Sequence, residues 1–261
     1  MLGIEHHINP LHLEDIRNPE HPSIFDENDA YDLLIIRLPV IADQLIGESY
    51  TFLLMDDSSY TYERTEKQFV DLGKRFEGPY KFLDAKIDIL LKAFVSYQER
   101  IVDMEEALYE NQIPSDLMNQ WFHLKRNILR IERMLIRSSE TFDAFIAYHE
   151  KSESFPIDHY VDLHEHTDRL KRSATLQLSK LDYIYNFYGA RTNERMNRLV
   201  YLLTIISAIF LPLNLIVGFF GMNTSGLPFT QASHGTLSVS VIISVLFIAV
   251  SVLLYSIRNK S

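Results

Sequence analysis

Between Leu199 and Phe220 the chain carries no charge, yet Thr204, Ser207, Pro212, Asn214 and Gly218 interrupt the run with groups that are costly or helix-weakening against lipid. The run ends in Gly221, Met222 and Asn223. Polar groups spaced along an apolar helix face protein or water rather than hydrocarbon, so the stretch reads as the lining of an aqueous path. Pro212 removes a backbone donor and disturbs the carbonyl of Ala208, leaving either an exposed acceptor on that path or a plain kink packed against another span. Two further sets of residues could bind cations. Glu14 and Asp15 stand side by side, and His159, Asp162 and His166 share a helical face, with His164 between them. Imidazole suits Zn²⁺. A metal site, however, needs ligands that converge, which spacing alone does not show. On the residues alone, both sets read first as solvated or interfacial groups.

Composition divides the chain sharply. Residues 199–257 contain no Asp, Glu, Lys or Arg; residues 1–198 hold all 35 acidic and 23 of the 25 basic residues, a net of −12. That balance argues against nucleic acid, whose phosphates need a basic face, and suits a region that meets cations. The absence of cysteine excludes disulfides and thiolate metal sites. No phosphate-binding loop and no constellation of nucleophile, base and orienting group is visible, so the chain does not read as an enzyme. The opening Met1-Leu-Gly-Ile-Glu-His-His has neither a basic head nor an apolar core, and the front half is expected to stay cytosolic.

Period and punctuation mark the elements that position these residues. Asn9-Pro10 offers an N-cap and a first-turn proline for a short helix to about Arg17, which carries Glu14 and Asp15. Residues 31–40, 48–55 and 59–63 read as mostly antiparallel strands, and Thr65-Glu-Lys-Gln68 has capping-box spacing that predicts a helix to about Gly78-Pro79. Residues 1–80 thus form a small α/β domain. Leu83, Ile87, Leu90, Phe94, Tyr97, Ile101, Met104 and Leu108 make a heptad seam. A second, of similar length, runs Leu117, Trp121, Leu124, Ile128, Ile131, Leu135, Ser138, Phe142 and Phe145. Residues 81–155 are therefore expected as an antiparallel helical hairpin.

Pro156 opens a third helix expected to run from Ile157 to Met222, roughly 100 Å by its rise per residue. Its parts are a stalk at 156–198 and a first membrane span at 199–222. A link at 223–235, a second span at 236–257 and a tail at 258–261 complete the chain. Each span is long enough for a ~30 Å hydrocarbon layer. Arg191, Arg195 and Arg198 precede the first span, Arg258 and Lys260 follow the second, and the link has no basic residue, so both termini are expected to be cytosolic. Two spans cannot enclose a wide path, so conduction implies a symmetric ring of subunits.

The segment from Asn197 to Asn223, with Leu-Thr-Ile-Ile at 203–206, Ile-Phe-Leu-Pro at 209–212 and Gly-x-x-Gly-Met-Asn at 218–223, resembles the CorA family of divalent-cation transporters. The likeness extends to Leu-Glu-Asp at 13–15, His-Leu-Lys-Arg-Asn at 123–127 and Asp-Leu-His-Glu-His-Thr at 162–167, and so covers nearly the whole chain. It implies a CorA-like homopentameric funnel in the inner membrane of a bacterium or archaeon. Gly221, Met222 and Asn223 would be the selectivity filter, with Asn197, Val200, Leu203, Leu211, Asn214 and Gly218 lining the pore and Val200 and Leu203 its apolar constriction. It also implies that Glu14, Asp15 and Asp162 hold a regulatory Mg²⁺ between neighbouring subunits. The implied partners are the lipid bilayer, further copies of the chain and divalent cations. No resident cofactor is implied: Mg²⁺ is the transported and regulatory ion, with Co²⁺, Ni²⁺ or Zn²⁺ as others.

Some features depart from the family pattern. Thr224-Ser225-Gly226-Leu227-Pro228-Phe229 replaces an acidic loop and looks more like the zinc-transporting ZntB branch, while Asn214, Val200 and Phe220 stand where Thr, Met and Tyr are usual. The first expectation is gated, electrophoretic Mg²⁺ influx, the second proton-coupled Zn²⁺ transport. A third, a membrane-anchored coiled-coil scaffold, gives no use to the polar residues of the first span.

Overall fold

The computed structural model describes residues 4–42, 44–110, 112–222 and 234–258. It divides into two compact units, Met1–Asn186 and Phe187–Ser261. In the first, α1 (Ile4–His7) and α2 (Pro10–Arg17) precede five strands, β1 (Ile24–Asp26), β2 (Asp32–Ile41), β3 (Leu45–Leu54), β4 (Ser59–Glu63) and β5 (Gln68–Gly73). The strands form one antiparallel meander in sequence order. As expected, the Asn9 side chain caps α2, accepting from the Leu11 amide at 3.0 Å.

Both faces of β2 are covered. Leu33 and Ile35 pack with Ile8, Ile16, Tyr31, Leu53 and Tyr62. Leu34, Ile36 and Leu38, pointing to the opposite face, are equally buried, and Phe52, opposite Leu34 in the register, meets Phe82 edge-on at 5.6 Å. A sheet covered on both faces needs such continuous apolar strands, and the run Leu-Leu-Ile-Ile at 33–36 supplies one.

The helix expected from Thr65 does not form. Arg64–Lys67 is a turn, with Lys67 at φ 51°, and Gln68–Gly73 is β5, paired with β4 through Thr61↔Val70 and Tyr62↔Phe69. Pairing to β4 and the contact of Phe69 with the Tyr62 ring at 5.2 Å outweigh the local capping signal. The next helix, α3 (Glu77–Tyr109), starts only after Gly73.

The heptads form α3 and α4 (Leu117–His149). All eight seam residues of α3 are buried, and so are those of α4 except Trp121, which is half-buried and donates its indole N–H to the Leu181 carbonyl at 2.7 Å. That acceptor belongs to α5 (Ile157–Gly221), which continues through Pro212. Tyr160, Leu163, Thr167, Leu170, Ala174, Gln177, Leu181 and Ile184 of α5 are buried at steps of three and four, so a third seam joins the hairpin and makes a three-helix bundle. Ties between α3 and α5 include Gln98 Nε2 to Ser173 Oγ (2.8 Å) and Tyr109 OH with Tyr183 OH (3.0 Å).

The second unit contains the rest of α5 and α6 (Gly235–Arg258). Among the described residues one helix, α5, is long and apolar enough to cross a membrane, by length and composition.

Candidate cation-handling sites

From Val200 to Gly221 the pore candidates lie on the uncharged part of α5, with Asn197 just before it. At 100° per residue, Asn197, Val200, Leu203, Leu211, Asn214, Gly218 and Gly221 fall within an arc of about 120°, Thr204 and Ser207 fall in the same arc, and Met222 follows the end of the helix. All eight candidates are exposed in the single chain, with Leu203 at 64% and Leu211 at 67%. The remaining faces carry exposed apolar groups such as Leu202, Phe210, Val217 and Phe219, as expected of a segment long and apolar enough to cross a membrane. The Thr204 hydroxyl donates to the Val200 carbonyl at 2.8 Å, so it is satisfied along its own helix. Pro212 has no amide to offer the Ala208 carbonyl. The helix ends at Gly221, and Met222 is the last described residue of the candidate filter triplet; Asn223 and residues 224–229 lie outside the described residues.

The regulatory candidates sit in the first unit. Glu14 is exposed on α2, while Asp15 is half-buried, with Oδ1 3.2 Å from His21 Nε2. Asp162, in the second turn of α5, has Oδ1 3.5 Å from His166 Nε2. Among the described residues, one group of Asp, Glu and His ligand atoms lies within 4.8 Å of one another: Asp84, Asp162 and His166. Glu14 and Asp15 are not in it.

The three histidines near Asp162 take different places. His159 stacks on Tyr80 with ring centroids 4.4 Å apart. His164 turns towards α4, with Nε2 3.1 Å from both Ser139 Oγ and Asp143 Oδ1. Of the three, His166 is the one that joins the carboxylates of Asp84 and Asp162. Asp84 is the residue that sequence reasoning missed: it follows seam residue Leu83 and looks like any polar flank position of a heptad. Negative charge gathers around it. The Tyr80 phenol is pushed up from its usual pKa by burial first, and then by Asp84, Asp162 and Asp88.

A profile of the family described as CorA-like Mg²⁺ transporter protein matches residues 3–258. The chain is 24% identical to the Bacillus subtilis protein YfjQ, a putative metal ion transporter, over 257 residues, covering 93% of this chain and 80% of that one. It is 25% identical to the zinc transport protein ZntB of Pectobacterium carotovorum, over 52% of this chain and 42% of that one. Its fold is that of the CorA magnesium transporter from Methanocaldococcus jannaschii, with a TM-score of 0.69 and 16% identity over 98% of this chain and 85% of that one. The chain belongs to the CorA-like Mg²⁺ transporter protein family, a family of divalent-cation transporters of membranes and not of enzymes.

Proposed function

We propose that the chain is one subunit of a homopentameric pore that carries Mg²⁺ into the cell down the membrane potential. The observation that carries this reading is the single arc of α5 that gathers Asn197, Val200, Leu203, Thr204, Ser207, Leu211, Asn214, Gly218 and Gly221, all but Asn197 on its uncharged segment. Five such arcs facing one axis line a path whose outer end is a ring of Asn223 amides. Mg²⁺ gives up water reluctantly, and neutral amide oxygens accept hydrogen bonds from its hydration shell without the tight grip of carboxylates. Val200 and Leu203 form the apolar constriction, which closes by dewetting. A dication crossing 100 mV of inside-negative potential gains about 4.6 kcal/mol, twice the unit-charge value, so no nucleotide is needed. In this reading α6 is the second span and both termini are cytosolic. Mg²⁺ held between Asp15 of one subunit and Asp162 of the next, with Asp84 beside Asp162 as a further carboxylate, keeps the ring closed until cytosolic Mg²⁺ falls.

The chain has no cysteine, so single cysteines placed along the span report without background. A water-soluble thiol reagent is expected to label positions 200, 203, 207, 211, 214 and 218 and to spare Leu202, Ile209, Leu213 and Ile216, which face the other way. Uniform labelling around the helix, or protection of the arc alone, would remove the reading.

A second reading, proton-coupled Zn²⁺ transport through the same architecture, is favoured by one observation: the acid-free Thr224–Phe229 segment, with its Gly-Leu-Pro at 226–228. Without acids at the mouth, electrostatic concentration of cations there is weak. Zn²⁺ flux that follows an imposed pH gradient would select it.

A further inference from the structure

We propose that Arg191, Arg195 and Arg198 of α5 form a docking face for the headgroup phosphates of anionic phospholipid at the cytosolic edge of the span. The inference rests on the first apolar run crossing the membrane. At 100° per residue the three arginines fall within about 60°, and that face is centred about 180° from the arc of pore candidates. It continues into the span as Leu202, Ile209, Leu213 and Ile216, so the arginines stand at the foot of a purely apolar stripe turned away from the path. A face that is apolar at hydrocarbon depth and cationic where the hydrocarbon ends matches the two layers of a phospholipid leaflet.

Depth agrees with this. Arg198 immediately precedes Leu199, the first residue of the apolar run; Arg195 and Arg191 stand roughly 6 and 12 Å before it. A headgroup layer is roughly 5–8 Å thick on each side of the hydrocarbon. Arg198 and Arg195 therefore lie within it, and Arg191 reaches its outer margin through a long side chain. The Arg191 guanidinium lies over the Phe187 ring, 5.6 Å from its centroid, which orients it along the helix. Arg198, 80% exposed, pairs with Glu194 at 3.2 Å, an exposed contact of the kind a phosphate competes with readily. The local charge is also inverted. Residues 187–198 hold three arginines and one acid, a net of +2, within a region of 198 residues whose net is −12. Guanidinium groups pair with phosphate oxygens through two parallel N–H donors, a geometry that a zwitterionic headgroup offers with less net attraction.

Native mass spectrometry of the full chain in detergent, with phosphatidylglycerol or phosphatidylcholine added, tests the proposal. The expected result is retention of phosphatidylglycerol over phosphatidylcholine by more than about tenfold. The triple replacement Arg191→Gln, Arg195→Gln, Arg198→Gln should abolish that preference, and the triple replacement by lysine, which keeps the charge, should preserve most of it. Arg195→Gln alone leaves two arginines to hold the topology and covers the case in which the triple variant does not insert; it should lower the preference about fivefold. An unchanged preference in the glutamine variants would overturn the proposal, as would displacement of the lipid by millimolar inorganic phosphate, which would mark a general anion site. None of these readouts measures ion flux, so their failure leaves the transport reading standing.

Discussion

Asp32, at the start of β2, is a buried charge that ties the stability of the fold to pH. Its side chain is 5% exposed, with Oδ2 2.5 Å from Arg75 Nη2 and 3.3 Å from His149 Nε2. Burial alone would raise its pKa, but hydrogen bonds and charge from His149 and Arg75 outweigh burial and hold it below the ordinary 3.8. A carboxyl depressed in the folded state stabilises the fold above that ordinary value, and the contribution is lost as pH falls through the folded pKa. Thermal unfolding should therefore show the wild type losing stability below about pH 4 more steeply than Asp32→Asn. The variant should also be less stable at pH 7, because the Arg75 guanidinium loses its counter-charge; parallel pH profiles would contradict this. Residues differ in how far the sequence exposes their role. The proposed filter role of Asn223 is read from the Gly-Met-Asn triplet alone, because Asn223 lies outside the described residues. Asp84 is not legible, because its partners Asp162 and His166 lie on another helix, far along the chain, and nothing local marks it.

Helical elements are the most legible, because burial in a bundle repeats along the chain. The α3 seam from Leu83 to Leu108 is buried residue for residue, as its heptads predict. The third seam, Tyr160 to Ile184, is harder to see because polar Thr167 and Gln177 occupy two of its positions. The sheet is less legible. The Thr65–Gln68 signature suits both a helix start and a tight turn, and pairing with β4, a non-local contact, decides between them. The junction of β5 and α3 gives a sharp test. A Cβ at Gly78 would stand 2.4 Å from the Leu72 carbonyl oxygen, which is backbone and cannot swing aside. Gly78→Ala should lower the denaturant midpoint by an amount worth about 1–3 kcal/mol, whereas Gly189→Ala, with nothing within 4 Å, should not lower it. Equal midpoints for the two variants would contradict the packing described at this junction.

For the whole molecule, the uncharged segment of α5 from Leu199 to Gly221 exposes apolar faces and gathers its pore candidates on one arc, and the proposed ring of chains would enclose that arc. Family membership sets the class of activity, while the proposed choice of ion is read from residues 223–229, which lie outside the described residues. The most direct test is ion uptake into proteoliposomes with an inside-negative potential, for Mg²⁺, Co²⁺ and Zn²⁺, each with and without a pH gradient. The expected result is Mg²⁺ uptake that grows with the potential, is indifferent to the pH gradient and is lost in a correctly inserted Asn223→Ala variant. Absence of Mg²⁺ uptake, or uptake only of Zn²⁺ in step with the pH gradient, would contradict it.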